Sequence, residues 1–527
     1  MSFAEPPIRL AVDLSNLRPG GENGGVKPFL FETLLWLGRQ RRVPLQFIYL
    51  TGSSTHAEVR DELARVGDEV VCVRVQDAPL PDGDGAVPRE RVFVPPPADL
   101  LWRLDARVLY CPFGQPEFAL PGVGTLCTVV DVLHRDFPWS LGPHHNAFRE
   151  KVFREIVAVA DRMQCISHHV AGRMRALYDV PAERLFTTHI AVHGRFALFP
   201  ATGGRTPAWG EESGVPFFFY PANAWQHKNH ETLLLAYGIY RAGERAAGRA
   251  PWALVCTGHE DERFAEMRAL ADTLDLSGEG GVAFRGYVPP EEFGRLWETA
   301  GALVFPSLHE GFGIPLVEAM EHDLPILTTR DGSLPEVGAD ACLYANARRP
   351  EEFAAAMTRL ANDPALREKL VRAGQRRRQD FSLDRESAHL LDAVVGLAHA
   401  RPRYRPWVRG IFPDGWTEGL ALLALPDAPA DEQAPSRLTL RFHPMPASRQ
   451  VRLRAGRDVA LGSFRLPAYR TDGEVTVDFR PAQGALTLET PDAANLDAGD
   501  GRVHGVRLRS AELRLPDGET FSLFATP

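Results

Sequence analysis

Residues 305–320 read Phe-Pro-Ser-Leu-His-Glu-Gly-Phe-Gly-Ile-Pro-Leu-Val-Glu-Ala-Met, and this string decides the fold. An apolar run, Ala302–Phe305, stops at Pro306 as a buried strand does. Gly311 and Gly313 permit a tight turn that brings backbone close to a ligand. Pro315 suits the first turn of a helix. Strand, glycine turn and helix in that order put a helix N-terminus at the carboxyl end of a strand. The free N–H groups and dipole of such a terminus favour an anion such as phosphate. Glu310 precedes the turn and Glu318 lies inside the helix, so two carboxylates bracket it. A lone helix glutamate is most often a solvated carboxylate; the specificity here lies in the whole string.

Outward from this string the chain divides in three. Residues 1–200 alternate apolar strands (Ile8–Val12, Leu45–Leu50, Val70–Val75, Val108–Tyr110, Thr125–Val130, Met163–Ile166) with helix-period segments (Phe29–Leu37, Phe148–Ala160). Ser167 is a candidate N-cap for a further helix that ends near Tyr178. Phe196–Pro216 is rich in glycine and proline and reads as a hinge. Residues 214–400 repeat the alternation, with strands at Phe217–Tyr220, Trp252–Thr257, Val282–Phe284, Ala302–Phe305 and Pro325–Thr328 and three closing helices. Strands alternating with helices predict parallel sheets covered on both faces, with ligands in the crevice at the strands' carboxyl ends. Residues 402–527 change to period two, as in Leu438–Phe442 and Val475–Phe479, with Asp-Gly turns between runs; this predicts an antiparallel β-sandwich. Trp416 beside one such turn is expected to fill that sandwich's core rather than to stack on a sugar. Removing residues 402–527 is expected to leave the chemistry of the first two domains largely intact.

Composition excludes several classes. The 527 residues are 44% hydrophobic and 24% charged, with a net charge of −9. That balance offers no basic footprint for nucleic acid and no polybasic membrane anchor. Six scattered cysteines without a C-x-x-C pair read as reduced thiols of a cytoplasmic protein. The first residues lack a signal-peptide pattern, and no apolar run approaches the roughly 18–20 residues of a membrane span.

The Glu310–Glu318 string resembles the E-x7-E motif of family-4 retaining glycosyltransferases, which have the GT-B fold of two facing Rossmann-like domains. Four further segments are similar to that family: Ser333–Val337, Phe284–Val288, Trp225–His230 and the serine segment at Ser167. The resemblance covers roughly residues 8–400. It implies that Glu310 lies by the donor sugar and that Glu318 holds the ribose of a nucleoside-diphosphate sugar. It implies that Lys228 pairs with the diphosphate and stabilises leaving-group charge. Backbone around Gly311, Phe312, Gly313 and Ile314, together with Asn223 and Val288, would complete the donor site. In the first domain, Asp131 and His134 in Val129–His134 match the family's segment facing the donor sugar and acceptor, although Val130 stands where the family has a histidine. The alternative role for these two is to cap the following helix. Gly24 and Gly25, after the first strand, match its glycine pair at the diphosphate.

One departure stands out: the family carries an arginine about six residues before the lysine, and this chain has Ala222-Asn223. The diphosphate charge is then left to Lys228, with His227 as a candidate helper. Seventeen histidines include the pairs His144-His145 and His168-His169 and the near pair His189 and His193, but the sequence sets no closed metal site beside them and has no D-x-D segment. No metal and no other cofactor is therefore expected. A glycoside hydrolase needs carboxylates about 5–10 Å apart. Glu310 and Glu318 would stand about 12 Å apart if both were helical, at 1.5 Å per residue. The resemblance is strongest to bacterial mannosyltransferases of surface-polysaccharide assembly. It implies a hexose donor, mannose first, and a glycan or polyprenyl-linked acceptor, with peripheral contact at the inner membrane. A nucleotide-sugar epimerase or a glycogen-synthase-like enzyme of the same fold is the alternative. A carbohydrate-binding or scaffold protein with an inactive site is another.

Overall fold

The computed structural model describes residues 6–19, 26–74, 89–92, 99–192, 216–278, 280–400, 407–412, 414–425, 435–455, 459–468, 472–479, 485–494 and 504–526. Gly24, Gly25 and His193, and all but the end of the expected hinge, lie outside these residues.

The first domain is built on β1 (Ile8–Leu14), β2 (Leu45–Gly52), β3 (Glu69–Arg74), β4 (Arg89–Val92), β5 (Val108–Cys111), β6 (Gly124–Val129), β7 (Arg162–Cys165) and β8 (Leu185–Thr187). All pair in parallel, in the order β4-β3-β2-β1-β5-β6-β7-β8. The second domain has β9 (Phe217–Pro221), β10 (Ala253–Thr257), β11 (Val282–Phe284), β12 (Ala302–Phe305), β13 (Ile326–Thr328) and β14 (Cys342–Tyr344), again parallel, in the order β11-β10-β9-β12-β13-β14. The central strands are apolar without alternation because both faces are covered; β10 is buried throughout. All six cysteines sit on these strands as buried thiols, where they pack as small hydrophobes. The short edge strands β4, β8 and β14 carry too few apolar positions to announce themselves in the sequence.

Both sheets end at the same cleft, where the order reverses between β1 and β5 and between β9 and β12. The helix Leu383–His399 crosses back from the second domain to the first. Its Leu390, Leu391 and Val394 share a core with Val12, Leu30, Leu34 and Val108. Trp36 Nε1 donates to Asp384 at 2.6 Å, and Arg107 Nε donates to the Ala398 carbonyl at 2.8 Å. The expected boundary at 400 puts this helix in the second domain; its buried face belongs to the first. Helical period shows which face is apolar but not which sheet that face meets.

The third domain is an antiparallel sandwich. One sheet has β15 (Trp407–Ile411), β16 (Thr417–Ala424), β18 (Arg449–Ala455), β19 (Val459–Leu466) and β21 (Ala485–Glu489), ordered β15-β16-β21-β18-β19. The other has β17 (Ser436–Phe442), β20 (Gly473–Phe479), β22 (Leu508–Arg514) and β23 (Thr520–Ala525), ordered β20-β17-β22-β23. In β18 buried and exposed residues alternate strictly, the signature of a strand with one face on a core. Trp416 is half-buried against that core, edge-on to His504 with ring centroids 4.9 Å apart. The sandwich docks on the first domain's helix Pro143–Val159. There Gly410 N donates to Glu155 Oε1 at 2.8 Å, Lys151 Nζ lies 2.5 Å from Glu418, and Arg409 donates to the carbonyls of Pro116 and Ala119 at 3.0 and 3.1 Å. Among the described residues no helix is long and apolar enough to cross a membrane.

Candidate active site

Two loops of the second domain, after β9 and after β12, make the centre of the cleft. The first ends in a turn, Gln226–Lys228, followed by Asn229 at φ +63°. Asparagine tolerates that left-handed conformation better than most residues. Its buried amide donates to the carbonyls of Pro306 and Ala347 at 3.2 and 3.1 Å, tying one loop to the other. Leu308 N donates to the His227 carbonyl at 2.8 Å and completes the seam. Lys228 Nζ is thereby held 2.5 Å from Glu310 Oε1, which also accepts Ser307 Oγ at 2.6 Å. The structure thus joins Lys228 and Glu310, to which the resemblance gives the diphosphate and the sugar of a donor. Any diphosphate that enters must compete with Glu310 for the ammonium. Burial, then the Lys228 charge, pushes His227 down to about 4, so it is neutral near pH 7 and adds no second cation.

The glycine turn follows. Gly313, at φ +101°, caps the helix Ile314–Glu321, which carries Pro315 in its first turn and buries Glu318. Glu310 lies outside this helix, so helical spacing does not set its distance from Glu318. Ser333 Oγ donates to the carbonyls of Glu310 and Phe312 at 3.0 and 2.8 Å and fixes the turn. Gly311 is where the first domain arrives: a Cβ there would fall 1.8 Å from the Val130 carbonyl oxygen. Ser167 Oγ, the N-cap of His168–Tyr178, donates across the cleft to the Gly311 carbonyl at 2.7 Å.

The two first-domain candidates part company. Asp131 stands beside Gly311, accepts Leu133 N at 2.8 Å and pairs with Arg149. Burial would raise its carboxyl, but Arg149, the Leu133 amide, His309 and His227 together hold it below the usual range. It is both the cap of the following turn and a charge in the cleft. His134 turns inward. Its Nε2 lies 2.8 Å from Tyr178 Oη and 3.4 Å from Glu150, and its ring packs 4.5 Å from Phe153. Burial works against Glu150, yet His134, Arg154, Tyr178 and Arg135 bring it down to about 2. That network is separate from Lys228 and Glu310.

Of the remaining donor candidates, Asn223 Oδ1 accepts His259 N at 2.8 Å. Val288 is buried next to Tyr287, which is exposed. Phe312 is buried, its ring 5.8 Å from His189. Sequence reading passed over Glu336. Its carboxylate accepts the backbone N–H groups of His168 and His169 at 2.8 and 2.9 Å and lies 2.8 Å from His189 Nε2. A second-domain acid therefore sits on the N-terminus of a first-domain helix, where negative charge is favoured. His168, His189 and Glu336 bring ligand atoms within 4.8 Å of one another, a partner set the sequence did not place beside these histidines. Glu336 already has three donors there, so the cluster reads as a clamp between domains. Ser307 and His309, flanking the string's own Leu308 and Glu310, were also passed over; their adjacency to Glu310 was the available signal.

Two parallel-sheet domains facing each other across this turn define the GT-B architecture, that of a large class of glycosyltransferases. Residues 206–377 match the family model for glycosyl transferases group 1. The chain is 26% identical over 252 residues to O-antigen chain mannosyltransferase B of Escherichia coli, covering 47% of this chain and 63% of that one. It is 29% identical over 180 residues to the serotype-specific mannosyltransferase WbdA of the same organism, 34% of this chain and 22% of that one. With D-inositol 3-phosphate glycosyltransferase of Streptomyces avermitilis it shares 30% over 260 residues, 47% of this chain and 54% of the other. The chain thus spans less than two thirds of the length of each of these relatives. Among solved structures, Anabaena Alr3699/HepE in complex with UDP and glucose aligns over 74% of this chain and all of its own at a TM-score of 0.52 and 13% identity. WaaG, a glycosyltransferase involved in lipopolysaccharide biosynthesis, aligns over 73% of this chain at a TM-score of 0.51 and 14% identity.

Proposed function

We propose that this protein transfers a hexose, mannose first, from a nucleoside-diphosphate sugar to a glycan or lipid-linked acceptor in surface-polysaccharide synthesis, with retention at the anomeric carbon. The observation that carries the reading is the Lys228–Glu310–Ser307 cluster beside a helix N-terminus in the cleft. The mannosyltransferase relatives favour the sugar. On this reading the diphosphate takes Lys228 from Glu310, and the helix N-terminus and the ammonium share the charge that builds on the leaving phosphate. Glu310, released, faces the sugar; Glu318 holds the ribose. Asp131, kept ionised, stands on the acceptor side. No metal or cofactor is assigned a step. The protein works in the cytoplasm and meets a lipid-linked acceptor as a peripheral visitor at the membrane.

The test is a thermal-shift screen of GDP-, UDP- and ADP-sugars, followed by nucleoside-diphosphate release and titration of the free diphosphate into two variants. Glu318→Ala should weaken diphosphate binding by about tenfold, the worth of one charge-assisted hydrogen bond. Glu310→Ala should bind at least as well as wild type, since Lys228 is then unpaired, yet lose most turnover. A protein stabilised by no nucleotide sugar, and releasing no diphosphate from any, sinks the reading.

A further inference from the structure

A cavity of about 370 Å³ lies between the two α/β domains, lined by Asp136, Phe137, Trp139 and His169 from the first and by Leu308, His309, Gly332 and Arg348 from the second. It adjoins the transfer site, because His309 precedes Glu310 and Gly332 packs on the Glu310 backbone. Its volume falls at the lower end of small-ligand sites, roughly 300–1,000 Å³.

Three features of its wall define what would fill it. Trp139 is 65% exposed in the cavity wall and tilted against Phe137 with ring centroids 4.4 Å apart. His309 is buried, and its Nε2 has no hydrogen-bond partner among the described residues. Its other nitrogen, Nδ1, lies 3.8 Å from Asp136 Oδ2, so Nε2 is the nitrogen left to meet a ligand hydroxyl. His169 Nε2 is likewise buried without a partner, and burial pushes this histidine below its usual range, so it is neutral. A buried polar atom left unpaired is costly, and a ligand hydroxyl removes that cost. The charges in the wall are already matched. Arg348 pairs with Asp331 at 2.8 and 2.9 Å, and Asp136 pairs with Arg173. An exposed aromatic side chain, two buried and unpaired histidine nitrogens and no spare arginine or lysine suit a neutral polyhydroxylated ring better than a phosphate.

We propose that this cavity is the acceptor subsite, that it takes a hexopyranose ring stacked on Trp139, and that His309 and His169 hydrogen-bond the ring's hydroxyls. The assignment rests on the transferase reading above and makes Trp139 and His309 acceptor-binding residues. It places the neutral sugar end of the acceptor, and not a lipid diphosphate, next to Glu310.

Saturation-transfer NMR tests it with methyl α-mannopyranoside, methyl α-glucopyranoside and methyl β-galactopyranoside as probes, on the full chain with GDP, UDP or ADP present. At least one pyranoside should receive saturation from the wild type. Trp139→Ala should weaken that binding about tenfold, the upper range of an aromatic stack. Trp139→Phe should recover most of the loss, and His309→Ala should weaken binding several-fold. All three variants should keep nucleotide affinity within twofold, which also shows that they are folded. Nucleotide bound with no pyranoside contact, or contact undiminished in both alanine variants, overturns the subsite and spares the transferase reading. A wild type that holds a pyranoside through Trp139 but binds none of GDP, UDP and ADP supports the subsite and sinks that reading instead.

Discussion

The first domain is gripped from two sides by different chemistry. Toward the sandwich it buries Glu155, Lys151 and Arg409 among Trp407, Leu422 and Phe412, with charge met by charge or by backbone amide. Toward the cleft it is held by a few polar contacts at loop and helix ends, Ser167 to Gly311 and Glu336 to two backbone amides. A buried charge whose partner is removed is severely penalised, so the first interface resists separation. The cleft contact is smaller, one buried hydrogen bond from Ser167 to Gly311 and a half-buried carboxylate on two amides, each bond worth about 1–3 kcal/mol net.

The largest expected effect breaks the cleft contact. Gly311→Ala sets a methyl against the Val130 carbonyl, so the domains cannot approach as they do here. Diphosphate release should fall by about two orders of magnitude, as misplacement of reacting groups by an ångström does. The melting temperature should stay near wild type; a large drop would show that Gly311 serves the core.

Next comes the other interface. Glu155→Ala leaves the buried Gly410 amide without its acceptor and leaves Lys151 to Glu418 alone, and should cost about 1–3 kcal/mol of stability. Chemical denaturation measures it, and a loss under about 0.5 kcal/mol, as at an ordinary surface site, contradicts the contrast drawn above. Removal of residues 402–527 also takes away Trp407 and Leu422, which share a core with Phe153 and Ile156, and bares the apolar surface they cover. Truncation should therefore destabilise the first domain instead of leaving it intact.

Acid should separate the two interfaces in opposite directions. Burial would raise Glu336, but His189 and the amides of His168 and His169 bring it below its ordinary 4.5. Its contribution is thus present above about 4.5 and lost as pH falls through the lowered value. Glu155 is raised above 4.5 by burial, despite Lys151, so its ionised form is the penalised one and acid relieves that penalty. His227, near 4 against an ordinary 6.5, also withdraws stability between those values as pH falls. Small-angle scattering below pH 4.5 should show an opened cleft with the sandwich still docked. The smallest effect sharpens the clamp: Glu336→Gln keeps an acceptor but loses the charge on the helix terminus. Donor KM should rise about threefold, the worth of such a charge; no change would leave the clamp to the Ser167 contact.

Much of this was legible in one string. Residues 305–320 announced the strand, the turn, the helix and the acid pair because glycine and proline positions there are dictated by backbone geometry. Ser167 was legible as a cap. Its second bond, to Gly311, was not, since a cap signal says nothing about the carbonyl across a cleft. Glu336 lay inside a recognised segment, yet its partners are backbone amides that no side-chain pattern reveals. His134 matched a motif and turned inward, because Tyr178 and Glu150, distant in sequence, compete for it. Strand β19 shows little of the period-two pattern in its sequence because its side chains are mostly exposed on both faces.

The helix Leu383–His399 also dictates an order of manufacture. The second domain is inserted between the first domain's sheet and the helix that covers part of it. On a ribosome, Val12, Leu30 and Leu34 emerge long before Leu390, Leu391 and Val394 do. At about 5–20 residues per second, tens of seconds of synthesis separate the two halves of that core. The nascent first domain must wait with an apolar face uncovered while an entire neighbour folds, and a chain stopped anywhere before residue 383 cannot complete that core.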